Sequence, residues 1–235
     1  MSGHSKWSTI KRKKEVRDHA RGNVFTKLAN AIVVAVKKGG SGDVDSNFAL
    51  RLAVDKARSF NMPNENIKRA IDRGLGKGGG GKEIEELLFE GYGPFGVAVV
   101  VMCLTDNRTR TVTDLKVAFD RGGGKPAQPG SVLYQFQRVG SMVFEGLVDD
   151  SLYLELIDIG LIDMEQGEGE GIIYSNPEKI GEIIEKLRVA GLKQVEGEVV
   201  YKAENLAQGV DEKIMEEFID KVKDIEDVQE VYAAY

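Results

Sequence analysis

Residues 87–104 read LLFEGYGPFGVAVVVMCL, and this stretch indicates the class of fold. Leu87 to Tyr92 and Val97 to Leu104 have the length and the apolar content of two strands. The Gly-Pro pair between them is typical of a turn. Helical spacing of apolar residues is found on both sides of this stretch. We therefore predict an α+β protein with antiparallel sheets that helices cover on one face.

The part of the chain before this stretch predicts a small basic domain of three helices. Residues 15–38 carry apolar side chains on one helical stripe. Asp45, Ser46 and Asn47 are all candidates to cap a second helix, and Asn64 is placed to cap a third. The glycine-rich residues 74–81 then read as a flexible linker. We place the helical domain, with its linker, at residues 1–82.

The remainder of the chain predicts two further domains, both of the α+β class. Residues 133–203 give the pattern β-β-α-β-β-α-β, a split-βαβ or ferredoxin-like unit whose first two strands we expect at 132–136 and 141–144. The flanking pieces, 83–132 and 204–235, hold ββα and αβ, and each is incomplete because an isolated two-stranded sheet is marginally stable. We predict that the flanking pieces fold together, with the acidic unit inserted between them as a third domain.

Charge is distributed unevenly along the chain. The whole sequence has a net charge of −6. Residues 1–82 hold 18 Lys and Arg against 7 Asp and Glu, a net of +11, whereas residues 83–235 hold 14 against 31, a net of −17. A basic segment of this kind attracts polyanions, while the acidic remainder repels them. The pattern favours nucleic acid as a partner, although a solvated helix face that only maintains solubility is the alternative.

Two segments supply candidate contacts to nucleic acid. The first is the basic run that follows Lys6-Trp7, where cations beside an aromatic side chain are typical of a nucleic-acid surface. The second is the strand-to-helix loop Thr105 to Thr111, since arginines are unfavourable at a helix N-terminus and suggest a phosphate contact there. The predicted nucleic-acid-binding residues are Lys6, Trp7, Lys11, Arg12, Lys13, Lys14, Arg17, Arg21, Lys27, Arg108 and Arg110.

No set of residues predicts catalysis, a cofactor or a metal site. The two histidines, His4 and His19, lie in the basic segment, and the single cysteine, Cys103, lies in the apolar run as expected of a small buried hydrophobe. Residues 76–82 match G-x-x-x-x-G-K, but Glu83 stands where a phosphate-binding loop needs Ser or Thr, and no strand precedes the match. We predict a protein that is not an enzyme.

The sequence also predicts a compartment. No apolar run approaches the about 20 residues that a membrane-spanning helix needs. The N-terminus is charged from Lys6 onward and lacks the apolar core of a secretory signal. A lone cysteine suits a reducing environment. We expect a cytoplasmic protein without membrane contact, and we expect a monomer.

Several motifs in order along nearly the whole chain carry a resemblance to a known family. They are Gly3-His4-Ser5-Lys6-Trp7, Phe25-Thr26-Lys27-Leu28, Asn61-Met62-Pro63, Gly91-Tyr92-Gly93-Pro94, Pro129-Gly130-Ser131-Val132 and Asp227-Val228-Gln229. Together they resemble the YebC/PmpR family of bacterial regulators, which includes the mitochondrial translational activator of cytochrome oxidase subunit one. The resemblance implies three domains, with the third inserted in the second, nucleic-acid binding and no catalysis. It also implies that Lys6, Trp7 and Lys11 to Lys14 face the polyanion.

The sequence departs from the family at residues 121–128, RGGGKPAQ, where a GGN-type turn is usual, so no role is assigned there. The leading hypothesis is a non-enzymatic, DNA-binding transcriptional regulator of the YebC type. One alternative is a ribosome-associated translation factor that binds ribosomal or transfer RNA. A second alternative is an interaction module whose acidic domains dock a basic protein. No recognisable recognition-helix spacing distinguishes DNA from RNA.

Overall fold

The structure of the chain is a computed structural model that describes residues 21–77, 83–167 and 169–235. The first three elements are helices, and strands and helices are mixed along the rest of the chain. In chain order the described elements are α1 (Arg21–Gly39), α2 (Phe48–Ser59), α3 (Asn64–Gly74), β1 (Glu85–Tyr92), β2 (Ala98–Thr105), α4 (Arg108–Arg121), β3 (Lys125–Pro126), β4 (Phe136–Glu145), α5 (Asp150–Ile159), β5 (Leu161–Gln166), β6 (Glu170–Ser175), α6 (Ile180–Val189), β7 (Lys193–Ala203), α7 (Glu212–Lys223) and β8 (Val228–Ala233).

The chain divides into two compact units. Among the described residues, unit 1 comprises those up to 135 together with residues 203–235, and unit 2 comprises those from 136 to 202. Unit 2 is therefore inserted in sequence between the two parts of unit 1. Each unit contains one four-stranded antiparallel sheet, and unit 1 also contains the N-terminal helices. The predicted α+β class is confirmed.

The helices α1, α2 and α3 of unit 1 pack around one apolar core, in which Ile32 and Leu50 are fully buried. Of the three predicted capping candidates, Asn47 is the one that caps α2, because its Oδ1 accepts a hydrogen bond from the Leu50 amide at 3.1 Å. The prediction that Asn64 caps α3 is wrong. Pro63 is the capping residue, and its carbonyl accepts from the Ile67 amide.

The sheet of unit 1 has the strand order β3-β1-β2-β8. Three aromatic side chains from three elements meet in its core: Phe119 of α4 contacts Phe89 of β1 and Phe218 of α7 edge to face, with ring centroids 5.3 and 5.0 Å apart. Pairs of this geometry stabilise a core by about 0.5–1.5 kcal/mol beyond their buried area. Gly91 of β1 leaves the space for this packing, since a Cβ there would lie 2.3 Å from Phe119.

The N-terminal helices and the sheet of unit 1 share a core. Ile84, just before β1, and Leu104 of β2 are buried in the same apolar cluster as the residues of α1 and α2. Burial of apolar side chains at this junction stabilises the contact by roughly 1.5–3 kcal/mol for each side chain that is fully covered. The helical region therefore packs on the sheet.

Unit 2 has the element order β-α-β-β-α-β and the strand order β5-β6-β4-β7, which is a ferredoxin-like arrangement. The prediction of separate strands at 132–136 and 141–144 is wrong. Residues 133–135 form a short 3₁₀ turn, and β4 is one continuous strand from Phe136 to Glu145. Gly140 lies between the two predicted strands. A Cβ at this position would lie 2.4 Å from Ile180, so the absence of a side chain permits β4 to pack closely against α6.

A buried carboxylate organises the loop after β3 in unit 1. Glu90 Oε1 accepts a hydrogen bond from the Gly130 amide at 2.6 Å, and Oε2 accepts from the amides of Val132 at 2.7 Å and Leu133 at 2.8 Å. Burial raises the pKa of Glu90, but the three amide donors outweigh burial and hold this pKa below its ordinary value. The folded state therefore favours the charged form of Glu90.

Candidate nucleic-acid interface

The residues predicted to bind nucleic acid fall into two groups, those whose side chains the structure describes and those whose side chains it does not. The larger group lies outside the described residues and consists of Lys6, Trp7, Lys11, Arg12, Lys13, Lys14 and Arg17. Arg21 is the first residue of α1, and its side chain also lies outside what the structure describes. Only Lys27, Arg108 and Arg110 have side chains whose surroundings are described.

Lys27 lies on the side of α1 that faces the sheet of unit 1. Its Nζ donates a hydrogen bond to the Lys223 carbonyl oxygen at 2.9 Å, at the C-terminal end of α7. A cation at this end of a helix is favourable because it interacts with exposed carbonyl groups and with the helix dipole. Burial lowers the pKa of Lys27 below its ordinary value. This placement is that of a structural contact between α1 and α7, so we leave Lys27 out of the interface.

Arg110 is held by carboxylates at the beginning of α4 rather than pointing freely outward. Its Nη2 donates to both oxygens of Asp227, at 2.8 and 3.0 Å, and to Asp106 at 3.2 Å. These hydrogen bonds with Asp227 raise the pKa of Arg110. The cation at this helix N-terminus therefore has an internal explanation, and a phosphate is not needed to account for it.

Asp227 is the centre of a buried polar cluster that joins β2, α4 and β8. Besides the guanidinium of Arg110, its Oδ2 accepts from the hydroxyls of Thr111 at 2.6 Å and Thr105 at 3.2 Å. Thr105 and Asp227 are 122 positions apart in the chain. Such a partner has no signal in a single sequence, because no local spacing connects the two segments.

Arg108 differs from Arg110, although both belong to the first turn of α4. Its side chain is exposed, and within the described part of the chain it forms no ion pair. Of the two arginines in this loop, Arg108 is therefore the one that remains available to a phosphate.

The structure adds a group of cations that the sequence analysis did not single out. Lys68, Arg69 and Arg73 on α3, and Lys77 after it, are all exposed. None of the four forms an ion pair with another described residue, and Arg69 donates a hydrogen bond to Asn66. We call these four residues the α3 cations.

The geometry of α3 explains why its cations face outward. Ile67 and Ala70 are buried against α1 and α2, so the opposite side of the helix faces solvent. Arg69 and Arg73 are four residues apart and therefore lie on the same exposed face. Two like charges at this spacing destabilise a helix slightly unless an anion lies nearby. The i, i+4 pair of arginines opposite the apolar stripe is the sequence signal by which this exposed basic face could have been found.

Other cations of the helical region have carboxylate partners and provide a contrast. Lys37 Nζ lies 2.9 Å from Glu83 Oε1, and Lys38 contacts Glu86. Both pairs connect the end of α1 to the segment at the beginning of the sheet. Among the described cations of the helical region, those without a carboxylate partner are the α3 cations and Lys27, which donates to a carbonyl instead.

Cys103 is buried in the core of unit 1, as predicted. Burial, with a contribution from the nearby Asp227 carboxylate, raises the pKa of its thiol to about 12. The thiol is therefore protonated and not nucleophilic near neutral pH.

Two further observations concern the described residues as a whole. No described helix combines the length and the apolar character that crossing a lipid bilayer requires. In the ranges 21–77, 83–167 and 169–235, no three His, Cys, Asp or Glu side chains are grouped as a metal site would need.

Known proteins match this chain over almost its entire length. Curated relatives named probable transcriptional regulatory proteins include one from Chloroflexus aurantiacus, which is 43% identical over 99% of this chain and 94% of its own length. Another, from Caldanaerobacter subterraneus subsp. tengcongensis, is 43% identical over 99% of this chain and 97% of its own length. The crystal structure of a conserved hypothetical protein from Aquifex aeolicus matches with a TM-score of 0.81 and 35% identity, covering 93% of this chain and 91% of that one.

Family models match both ends of the sequence. Residues 5–77 match the model described as the TACO1/YebC protein N-terminal domain. Residues 84–235 match the model described as the TACO1/YebC second and third domain. The two matches leave only six residues between them, 78–83, in the glycine-rich stretch. The resemblance that the sequence motifs indicated is confirmed, and the chain belongs to the TACO1/YebC family.

Proposed function

We propose that this protein is a cytoplasmic regulator of gene expression that binds nucleic acid through its basic N-terminal part and acts by binding rather than by catalysis. More specifically, we propose a transcriptional regulator that binds duplex DNA. The observation that carries the proposal is the set of exposed, unpaired α3 cations in the part of the chain whose sequence has a net charge of +11. The names of the relatives, probable transcriptional regulatory proteins, support it.

Phosphate contacts are the physical basis of the proposal. An unpaired Lys or Arg on a surface interacts with a phosphate without first breaking an internal ion pair, and each such contact releases a counterion from the nucleic acid. The α3 cations meet this condition, and so does Arg108 of α4. We assign the same role to Lys6, Lys11 to Lys14, Arg17 and Arg21 from the sequence. Trp7 is assigned a stacking contact, which adds affinity for unpaired bases.

The α3 cations provide a direct test, with a matched control in the same region. The variant Arg69→Ala/Arg73→Ala removes two unpaired charges, whereas Lys37→Ala/Lys38→Ala removes two charges that already have carboxylate partners. The measurement is the affinity for a fluorescent duplex DNA at several salt concentrations. We expect the first variant to reduce the slope of log K against log salt by about 1–2 in magnitude, at about 0.9 for each lost phosphate contact.

The control should change the slope by less than half of the amount expected for one phosphate contact. Equal effects of the two double variants would mean that only total charge matters, and the α3 face would not be a binding surface. Repeating the titration with single-stranded and ribosomal RNA distinguishes the targets. Tighter binding to RNA than to duplex DNA at equal salt would favour the translation-factor alternative.

A further inference from the structure

Helix α5 of unit 2 exposes an apolar face. Leu152 and Leu156 are buried beneath the helix, whereas Tyr153, Leu154 and Ile157 are exposed, Leu154 to 63% and Ile157 to 45%. Ile157 lies three residues after Leu154 and four residues after Tyr153, so it neighbours both on the helix surface and the three side chains form one strip. Leu147, before α5, is exposed as well. We call Leu147, Tyr153, Leu154 and Ile157 the α5 surface.

The strand that follows α5 carries one more exposed apolar residue. β5 follows α5 after a single glycine and is an edge strand of unit 2. Ile162 in this strand is another exposed large apolar residue. Large apolar side chains exposed singly are normal on a protein surface, but a contiguous group of them marks a site of interaction.

The helix that carries this surface is acidic, and of its three carboxylates only Glu155 is paired with a described cation, Lys186 of α6. Helix α5 contains no Lys or Arg, and Asp150 and Asp158 form no ion pair with any described residue. Asp158 lies in the last turn of the helix, where a negative charge is unfavourable and where the helix itself carries no basic side chain. Residues 136–202 as a whole hold 14 Asp and Glu against 6 Lys and Arg, a net of −8.

These charges restrict what can cover the surface. Nucleic acid is repelled by a unit with this net charge. A second copy of the same surface would bring uncompensated carboxylates together, which is also unfavourable. A partner that combines apolar side chains with Lys or Arg can cover the apolar strip and also pair with the carboxylates beside it.

We propose that the α5 surface docks a basic amphipathic helix of another protein. Leu154 and Ile157 contact the apolar side of that helix, and its cations lie beside Asp150 and Asp158. The inference is independent of the nucleic-acid binding proposed above, because it concerns a different unit of the chain and the opposite charge.

The test uses the full chain and a synthetic peptide of about 18 residues, long enough to form a helix. Its apolar face consists of Leu and its polar face of Lys, and its binding is followed by fluorescence anisotropy at about 150 mM salt. The informative variants are Leu154→Asp and Ile157→Asp, which remove apolar area while adding negative charge. Val189→Asp is the matched control, because Val189 is 78% exposed on α6 and lines a cleft with Ser151 and Glu155 of α5, so the variant adds the same charge beside α5 without removing a residue of the α5 surface.

We expect Leu154→Asp and Ile157→Asp each to weaken peptide binding by about tenfold, the effect of losing one well-buried aliphatic contact. Val189→Asp should leave the affinity within about twofold, and duplex DNA binding should be unchanged in all three variants. Association by charge alone predicts equal or tighter binding of the peptide to the aspartate variants. That result, or the absence of peptide binding to the unmodified chain, would overturn the proposal.

Discussion

Single carboxylates determine local structure at two places in unit 1, and Glu90 is the clearer case. Its two oxygens accept three backbone hydrogen bonds in a loop that has little other regular structure. The folded state holds the pKa of Glu90 below its ordinary value of 4.5. A carboxylate whose pKa falls on folding stabilises the folded state above its unfolded pKa. That stabilisation is lost as the pH falls through the lower, folded-state pKa.

We expect Glu90→Gln to lower the free energy of unfolding by about 2 kcal/mol at pH 7, because Gln keeps one uncharged acceptor oxygen and places an NH2 group where the other oxygen accepted from a backbone amide. The difference from the unmodified protein should shrink as the pH is lowered from about 4.5, since the native side chain is then protonated as well. Urea unfolding at a series of pH values measures it. Glu85→Gln, at an exposed position in the same strand, is the control and should change stability by less than about 0.5 kcal/mol. A difference independent of pH would contradict this role of the Glu90 charge.

At the scale of elements, the Asp227 cluster joins β2, α4 and β8 through one buried side chain. We expect Asp227→Ala to lower the free energy of unfolding by about 2–3 kcal/mol, because two buried hydroxyls and a guanidinium lose their acceptor. Asp106→Ala removes the other carboxylate partner of Arg110 at an exposed position and should cost less than about 0.5 kcal/mol. Thermal unfolding of both variants measures the contrast. Similar losses would show that Arg110, rather than the buried cluster, connects the elements.

Most elements were predictable because their signals are local. The apolar run that ends at Leu104, the helical stripes of α1 to α3 and the cap at Asn47 need only neighbouring residues. The sequence misled where a residue serves a distant contact. Gly140 lies in the predicted gap between two strands, but it is part of β4, where its lack of a side chain leaves room for Ile180 of α6. The two arginines in the first turn of α4 gave no sign that one of them pairs with Asp227, 117 positions away. Candidate sites were predicted by charge density, whereas ion pairing requires the fold.

At the scale of the whole molecule, the chain passes from unit 1 into unit 2 and returns at a single place. The Gln135 carbonyl accepts a hydrogen bond from the Glu204 amide at 2.9 Å, so the two parts of unit 1 meet where unit 2 begins and ends. We propose the three domains that the sequence predicted: 1–82, 83–132 with 204–235, and the inserted 133–203.

Deleting residues 136–202 and joining the ends through about two glycines should leave a remainder that unfolds cooperatively, because closing so short a loop costs little entropy. Near-ultraviolet circular dichroism during heating measures the transition. Removing residues 204–235 instead should abolish it, since Phe218 and Val228 belong to the core of unit 1. A broad, non-cooperative transition after the internal deletion would argue that the three domains fold as one unit.

Nucleic-acid binding must be tested in the full chain, because Ile84 and Leu104 complete the core of the N-terminal helices and a cut at residue 82 would expose it. The central claim is that phosphate contacts from the basic N-terminal part dominate this binding. If Lys11, Arg12, Lys13, Lys14 and Arg17 make about five phosphate contacts, log K should fall against log salt with a slope of about −4 to −5 on duplex DNA.

The most direct measurement is that slope for the full chain and for the variant with Lys11, Arg12, Lys13 and Lys14 all changed to Ala. We expect the variant to flatten the slope by roughly 3–4 and to weaken binding to all sequences alike. Trp7→Ala should leave the slope unchanged and reduce affinity for single-stranded nucleic acid, because stacking on a base contributes about 1–3 kcal/mol. A flat salt dependence, with discrimination between DNA sequences on the order of a thousandfold, would show that base contacts dominate and would contradict the account.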